Sequence, residues 1–270
     1  MEGERLAKFL ARAGVASRRD SERLIAAGRV TLNGAVVAHP AVSVQDNDRV
    51  AVDGKPVARA TPARLWLYHK PAGLVTTARD PQGRPTVFAN LPKHLPRLIS
   101  IGRLDINTEG LLLLTNDGEL ARFLEHPAQE FVRTYRVRVH GKIDQSLVAN
   151  LARPQMIDGV RYRPAEAAID HRQGANCWLT IMLREGKNRE IKRLLAHYGL
   201  RVTRLIRIGY GPFRLDDLPR GAVAPAPEAI VGELTQRLAQ RSAQSPIRPS
   251  AGCPPSAAAN RRSFSPSELP

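Results

Sequence analysis

The chain has 270 residues, 43% of them hydrophobic, which is enough for one large domain or for a small domain beside a larger one. Its formal net charge of +16 indicates a polyanionic partner such as RNA, DNA or an anionic membrane surface. No apolar run approaches the roughly 18 to 20 residues that span a bilayer, and the first residues are interrupted by charges, so the sequence predicts an untargeted cytoplasmic protein with no membrane anchor.

Residues 1–60 predict a small domain of two short helices followed by hairpins. Apolar residues at helical spacing end at Gly14, and a capping-box pattern that begins at Ser17 opens a second helix ending at Gly28. Asn33-Gly34 and Asp53-Gly54 then mark turns between β-prone runs.

Cations crowd the predicted helical pair and outnumber its acidic residues. The sequence therefore predicts a phosphate-binding face there, although a solvated helix surface would show the same pattern. The candidate RNA-binding residues on this face are Lys8, Arg12, Arg18, Arg19 and Arg23.

Residues 61–64 lose the periodicity and predict a linker, and residues 65–238 predict a second, larger domain. Its strands and helices do not alternate regularly, which favours an α+β fold with a largely antiparallel mixed sheet. The predicted strands are Leu65–His69, Leu111–Thr115, Tyr135–Val139, Trp178–Leu183 and Val202–Ile208, and the predicted helices are Glu119–Leu124 and Arg189–Tyr198. Residues 239–270 are rich in proline and serine and predict a disordered tail.

Two segments of the larger domain could carry chemistry. The first is a glycine-bounded loop that holds Arg103 and Asp105 and leads into an apolar strand. The second is the basic stretch 184–194, which turns into a helix and suits phosphates. Taken alone, Asp105 is more often a turn residue, and Asp105 with Glu109 also fits a pair of glycosidase carboxylates.

Metal and nucleotide chemistry lack their usual motifs. The histidines have no ligand spacing, no phosphate-binding loop ending in Gly-Lys-Ser/Thr occurs, and Cys177 and Cys253 are far apart in sequence. We therefore expect a site without metal that acts on RNA, and the residues by themselves do not name the reaction.

Several segments, in order along the chain, resemble one family. They are Leu65–Gly73, Gly102–Asp105, Thr108–Gly118, Thr134–Val137, Glu185–Leu194 and Leu205–Phe213. This series resembles the pseudouridine synthase family that includes ribosomal small-subunit synthase A and large-subunit synthase B. The first 60 residues are similar to the alpha-L RNA-binding module that precedes the catalytic domain in these enzymes.

The resemblance implies isomerisation of uridine to pseudouridine in RNA, with no metal, organic cofactor or nucleotide cofactor. Asp105 matches the catalytic aspartate, either as a nucleophile at the sugar or as a base that abstracts its 2′ proton. Lys192 matches the basic residue that keeps this carboxylate ionised, with Arg189 as a second candidate. Tyr135 matches the tyrosine that packs on the base and assists proton transfer from C5.

The resemblance also implies that the target nucleotide leaves its helix, at a cost of a few kcal/mol. Arg103 matches the residue that takes the vacated space, and Leu194 the apolar residue lining the uracil pocket. Lys187 and Arg189 are the candidate phosphate ligands of the basic stretch. The stretches 107–110 and 186–190 look closer to large-subunit synthase B, so large-subunit ribosomal RNA is the first expectation, before small-subunit RNA and transfer RNA.

A monomer is expected. The alternative from another class is a non-catalytic RNA-binding protein of ribosome assembly that has kept the synthase fold. Retention of Asp105, Tyr135 and Lys192 counts against it, because binding alone needs no aspartate facing the charge of RNA.

Overall fold

The structure is a computed structural model that describes residues 3–244. Its N-terminal elements are short and lie within the predicted small domain: β1 (Glu4–Arg5), α1 (Leu6–Arg12), α2 (Arg18–Ala26), β2 (Val30–Leu32), β3 (Ala35–Val37), β4 (Ser43–Val44), β5 (Val50–Val52) and β6 (Lys55–Pro56). Four of these strands form an antiparallel sheet in the order β3-β2-β5-β6, and β1 pairs with β4. The predicted helices and hairpins are confirmed.

Local signals of the sequence explain these elements. The Ser17 hydroxyl accepts a hydrogen bond from the Asp20 backbone N–H at 3.1 Å, which caps α2. Asn33 and Gly34 both have positive φ, as a tight turn between β2 and β3 requires. The apolar faces of α1 and α2 pack on the small sheet around a core that includes Phe9 and Ile25.

The larger domain contains the remaining elements. They are β7 (Leu65–Lys70), β8 (Ile99–Ile101), β9 (Glu109–Thr115), α3 (Gly118–Glu125), β10 (Arg133–His140), α4 (Gln145–Leu151), β11 (Gln155–Ile157), β12 (Val160–Tyr162), β13 (Glu166–Gln173), β14 (Asn176–Leu183), α5 (Glu190–His197), β15 (Arg201–Tyr210), β16 (Phe213–Arg214), β17 (Val223–Pro225) and α6 (Glu228–Gln244).

One mixed sheet organises this domain. Its strand order in the described residues is β13-β14-β10-β15-β9-β7-β17, with β16 paired to β15 and β8 paired to β9. Strands β9 and β15 are parallel, and the other pairs are antiparallel. The α+β class with a largely antiparallel mixed sheet is therefore confirmed.

The junction between β9 and β15 lies at the middle of the sheet. Every residue of β9 is buried, as expected for a central strand. Gly110 has φ +104°, and a Cβ at this position would lie 2.2 Å from the carbonyl oxygen of Arg207. Only glycine lets the two strands approach this closely, and the loop before β9 is thereby placed over the sheet.

Helices α4 and α6 were not predicted, and α6 corrects one boundary. It continues through Gln244, so the tail does not begin at residue 239, because Val231 and Leu234 anchor α6 against the core beside α3. The rest of the predicted tail, residues 245–270, lies outside the described residues. Within the described range, no helix is long and apolar enough to cross a membrane.

Candidate active site

The loop that holds Asp105 joins β8 to β9 and is fixed by its backbone. Lys70, fully buried at the end of β7, donates from Nζ to the carbonyl oxygens of Asp105 (3.2 Å), Ile106 (3.2 Å) and Thr108 (2.9 Å). The Thr76 hydroxyl donates to the Leu104 carbonyl at 2.9 Å. Contacts within the protein therefore hold the Asp105 backbone in place.

Burial lowers the pKa of Lys70 to about 8, while the charges of Asp105 and Glu109 act in the opposite direction. The ammonium group has exchanged water for carbonyl dipoles that converge on it from the loop. Lys70 thus serves as an anchor for the loop, a role that sequence reasoning missed.

The basic stretch meets this loop from the opposite side. Lys192, on α5, lies with Nζ 3.1 Å from Oδ2 of Asp105, and Nη1 of Arg189 lies 3.9 Å from the same oxygen. Arg189 precedes α5 in a left-handed conformation, with φ 53°, and turns the chain into the helix. The Asp105 side chain is 32% exposed, so the carboxylate faces two cations and still reaches solvent.

A cavity of about 820 Å³ opens beside this pair. Its lining includes Asp105 and Arg103 from the loop before β9, Lys187 and Arg189 from the basic stretch, and the half-buried ring of Tyr135 on β10. A register shift between Thr134 and Tyr135 interrupts the β10–β15 ladder at this point, where bulges commonly redirect a side chain. The structure brings together Asp105, Lys192, Tyr135, Arg103 and Arg189, which the sequence singled out from distant segments.

Leu194 and Ile191 lie one turn apart on α5, and both are buried in the same core cluster, at 2% and 4% exposed. Of the two, Ile191 lines the cavity, so Ile191 is the better candidate for the apolar residue of the uracil pocket that the sequence predicts at Leu194. Helical residues three positions apart share a side of the helix only approximately, and here the earlier one faces the cavity.

Lys187 lines the cavity, but its ammonium already has partners. It donates to Oε2 of Glu185 at 2.6 Å, and it lies 5.4 Å from the centre of the Tyr162 ring. Its backbone N–H donates to Oε2 of Glu190 at 2.9 Å. A phosphate at Lys187 would therefore compete with a carboxylate, which makes Lys187 a weaker RNA ligand than the sequence predicts.

Glu190 is buried beside a second acid. Burial raises the pKa of Glu190 to about 8, and both the hydrogen bond and the charge of Glu185 act in the same direction. The raised pKa favours the protonated form of Glu190 near neutral pH, at the edge of the cavity.

The N-terminal cations divide into two groups. Arg18, Arg19 and Arg23 are exposed on α2. Lys8, in contrast, lies 2.5 Å from Oε1 of Glu119, and Nε of Arg12 lies 3.6 Å from Oδ2 of Asp117. These two acids stand at the start of α3, where negative charge is favoured.

Lys8 and Arg12 therefore face α3 of the larger domain, because the two domains contact each other at this point. Their role as RNA ligands stays a prediction. The sequence showed the excess of positive charge but could not show which cations the protein itself would pair.

Comparison with known proteins identifies the architecture. The model of the RNA pseudouridylate synthase family matches residues 64–197, and that of the S4 domain matches residues 4–50. An uncharacterized RNA pseudouridine synthase of Rickettsia conorii is 48% identical over 217 residues, which cover 80% of this chain and 94% of the relative. The chain belongs to the RNA pseudouridine synthase family.

Other similar proteins support this family assignment. Ribosomal large subunit pseudouridine synthase B of Haemophilus influenzae is 43% identical over 227 residues, 82% of this chain and 64% of the longer relative. A crystal structure of a pseudouridylate synthase superposes with a TM-score of 0.60 at 26% identity, covering 86% of this chain and 99% of that one. The synthase is thus an isomerase with an N-terminal S4 domain. Among residues 3–244, no cluster of three or more His, Cys, Asp or Glu side chains could hold a metal ion.

Proposed function

We propose that this synthase converts a uridine of large-subunit ribosomal RNA to pseudouridine, with Asp105 as the catalytic carboxylate. The observation that carries the proposal is that Asp105 lines a cavity large enough for a nucleotide and pairs with Lys192 at 3.1 Å beside it. The substrate follows from the relatives named large subunit pseudouridine synthase B, which are 42–44% identical to this chain.

The reaction breaks the C1′–N1 bond, rotates the uracil and joins C5 to C1′, after which C5 loses its proton and N1 gains one. Asp105 acts in its ionised form, either by attacking C1′ or by abstracting the 2′ proton. Lys192 and Arg189 favour that form, because an adjacent cation stabilises a carboxylate. Lys70 holds the loop carbonyls, so that the carboxylate meets the sugar without reorganisation of the backbone.

Three side chains position the nucleotide in this proposal. Tyr135 packs on the uracil from the sheet, and Ile191 forms the apolar wall that the sequence had assigned to Leu194. Arg103, exposed at the cavity mouth, takes the place of the extruded nucleotide in the RNA helix.

RNA capture is assigned to the N-terminal domain, residues 1–60, through Arg18, Arg19 and Arg23. The catalytic domain begins at residue 65 and continues through the end of α6 at Gln244. The protein acts as a monomer in the cytoplasm. The exposed guanidinium groups of α2 bind phosphates without reading sequence, which suits a domain that delivers RNA to a separate site.

The test uses RNA that carries tritium at uridine C5, since the tritium leaves as water when C5 bonds to C1′. Wild type, Asp105→Asn and Asp158→Asn are incubated with large-subunit, small-subunit and transfer RNA. Asp158 is an exposed turn residue with φ 50°, a conformation that asparagine tolerates, so it controls for the same chemical change.

We expect release from large-subunit RNA by wild type and Asp158→Asn, and none by Asp105→Asn. Release from another RNA only would contradict the substrate assignment. Silence on all three RNAs, with binding intact, would identify a non-catalytic RNA-binding protein.

A further inference from the structure

Arg207 occupies an unusual position in the floor of the cavity. It lies on β15 and is 2% exposed, directly across from Tyr135 of β10 and Gly110 of β9. Its Nε donates to the Leu111 carbonyl oxygen at 2.7 Å, whereas its buried Nη2 has no hydrogen-bond partner among residues 3–244. A buried guanidinium therefore presents an unused donor at a cavity that it lines.

No carboxylate within the described part of the chain forms an ion pair with Arg207. Its guanidinium carbon lies 5.2 Å from the centre of the Tyr210 ring, which offsets part of the cost of burial. Burial also raises the pKa of the Tyr210 hydroxyl, so this ring supplies no negative charge at neutral pH. An unpaired buried cation is costly, and the cost falls when an anion binds.

The guanidinium group of Arg133 also contacts the Tyr210 ring. The guanidinium carbon of Arg133 is 4.9 Å from the centre of the Tyr210 ring, and Nη2 donates to the Tyr210 hydroxyl oxygen at 3.2 Å. Arg133 also lines the cavity and, within residues 3–244, has no carboxylate at ion-pair distance. Glu125, the acid at this end of the cavity, accepts a hydrogen bond from the Gly102 N–H at 2.6 Å.

We propose that Arg133 and Arg207 form a subsite for one backbone phosphate of the RNA, next to the uridine that enters the cavity. This inference rests on the proposed function and deepens it. Arg133 and Arg207 line the same cavity and contact the same Tyr210 ring, and a phosphate accepts charge-assisted hydrogen bonds from more than one donor at once. A neutral uracil carbonyl would leave the charge of Arg207 uncompensated.

The phosphate contact would fix the nucleotide from the side opposite Lys192. Tyr135 is the cross-strand neighbour of Arg207 and lines the same cavity as Asp105. A nucleotide held at its phosphate by Arg207 and packed on Tyr135 can turn its base without leaving the cavity, as the reaction requires.

The test measures RNA affinity as a function of salt for the full-length protein. Each phosphate contact contributes about 0.7 to 0.9 to the slope of log K against log salt concentration. The variants are Arg207→Gln, Arg133→Gln, the double variant, and Arg201→Gln as control. Arg201 is exposed on the same strand, roughly 20 Å from Arg207 at about 3.3 Å per residue, and its loss changes the net charge equally.

We expect Arg207→Gln and Arg133→Gln each to weaken binding about tenfold at 0.1 M salt. The double variant should reduce the slope by about one contact in total, and each single variant by less, because both side chains hold the same phosphate and either one still neutralises it. Arg201→Gln should keep the wild-type slope.

Weaker binding by the double variant with an unchanged slope would mean a neutral ligand and would overturn the proposal. Circular dichroism checks that the variants with Arg207→Gln are folded. If they are not, Arg133→Gln decides alone, and wild-type affinity for Arg133→Gln refutes the subsite. Tritium release by wild type in parallel separates this failure from failure of the proposed function itself.

Discussion

Glu190→Gln should change how the stability of the catalytic domain depends on pH. The pKa of Glu190 is raised to about 8 from an ordinary value of 4.5, chiefly by burial, so between these values the folded state holds a proton that the unfolded state has lost. Stability therefore falls as pH rises through this window and levels off above it. At pH 7 the loss relative to pH 4 is on the order of 3 kcal/mol for a shift of this size.

Glutamine cannot ionise and can donate permanently to Glu185, so the variant should lack this decline. The difference in the free energy of unfolding between Glu190→Gln and wild type should therefore shift in favour of the variant by on the order of 3 kcal/mol from pH 4 to pH 7. Urea unfolding followed by fluorescence reports on this domain, because Trp66 and Trp178 both lie in it. Glu233→Gln, an exposed change on α6, is the control. Parallel pH profiles for wild type and Glu190→Gln would mean that Glu190 is ionised in the folded protein, and the reasoning would be wrong.

Three further predictions concern the sheet, the domain contact and the catalytic pair. Gly110→Ala should lower the free energy of unfolding by about 3 kcal/mol or more, because the new Cβ would overlap the Arg207 carbonyl and the φ of +104° strains any side chain. The melting temperature should fall accordingly, and a melting temperature within about 2 °C of wild type would contradict this. The Lys8–Glu119 pair should show a coupling of about 0.2 to 1 kcal/mol in a double-mutant cycle of charge reversals, and the coupling should shrink at high salt. Lys192→Met should lower kcat about a hundredfold with little change in KM, and Lys192→Arg should restore part of it; an equal rise in KM would indicate a binding role instead.

Elements with one buried face were predictable from local pattern. The alternation in Arg133–His140 and the apolar face of Glu190–His197 each predict their element within two residues or so, because a single period decides which side is buried. Helix α6 escaped prediction because its apolar positions are few and the composition changes towards Arg241. Its stability comes from packing against the core, which a local pattern does not contain.

The site itself depended on long-range pairing. Asp105 and Lys192 are far apart in sequence and meet because β9 and β15 pair in parallel, with Glu109 opposite Ile206. No spacing rule could place them together, and only the family resemblance did so. The sequence contains a weaker indication of Arg207. Residues 205, 207 and 209 occupy the buried positions of β15, where apolar residues are usual, and Arg207 is a cation at one of them.

Net charge indicates the kind of partner, but burial and pairing decide which cations meet it. Lys70 binds the carbonyls of its own loop, and Lys8 binds Glu119, so both charges are used within the protein. Arg133 and Arg207 have no carboxylate partner in the described residues, although each is at least partly buried. In the proposed subsite these two guanidinium groups meet the anion that RNA offers to an enzyme that modifies it, the phosphate backbone.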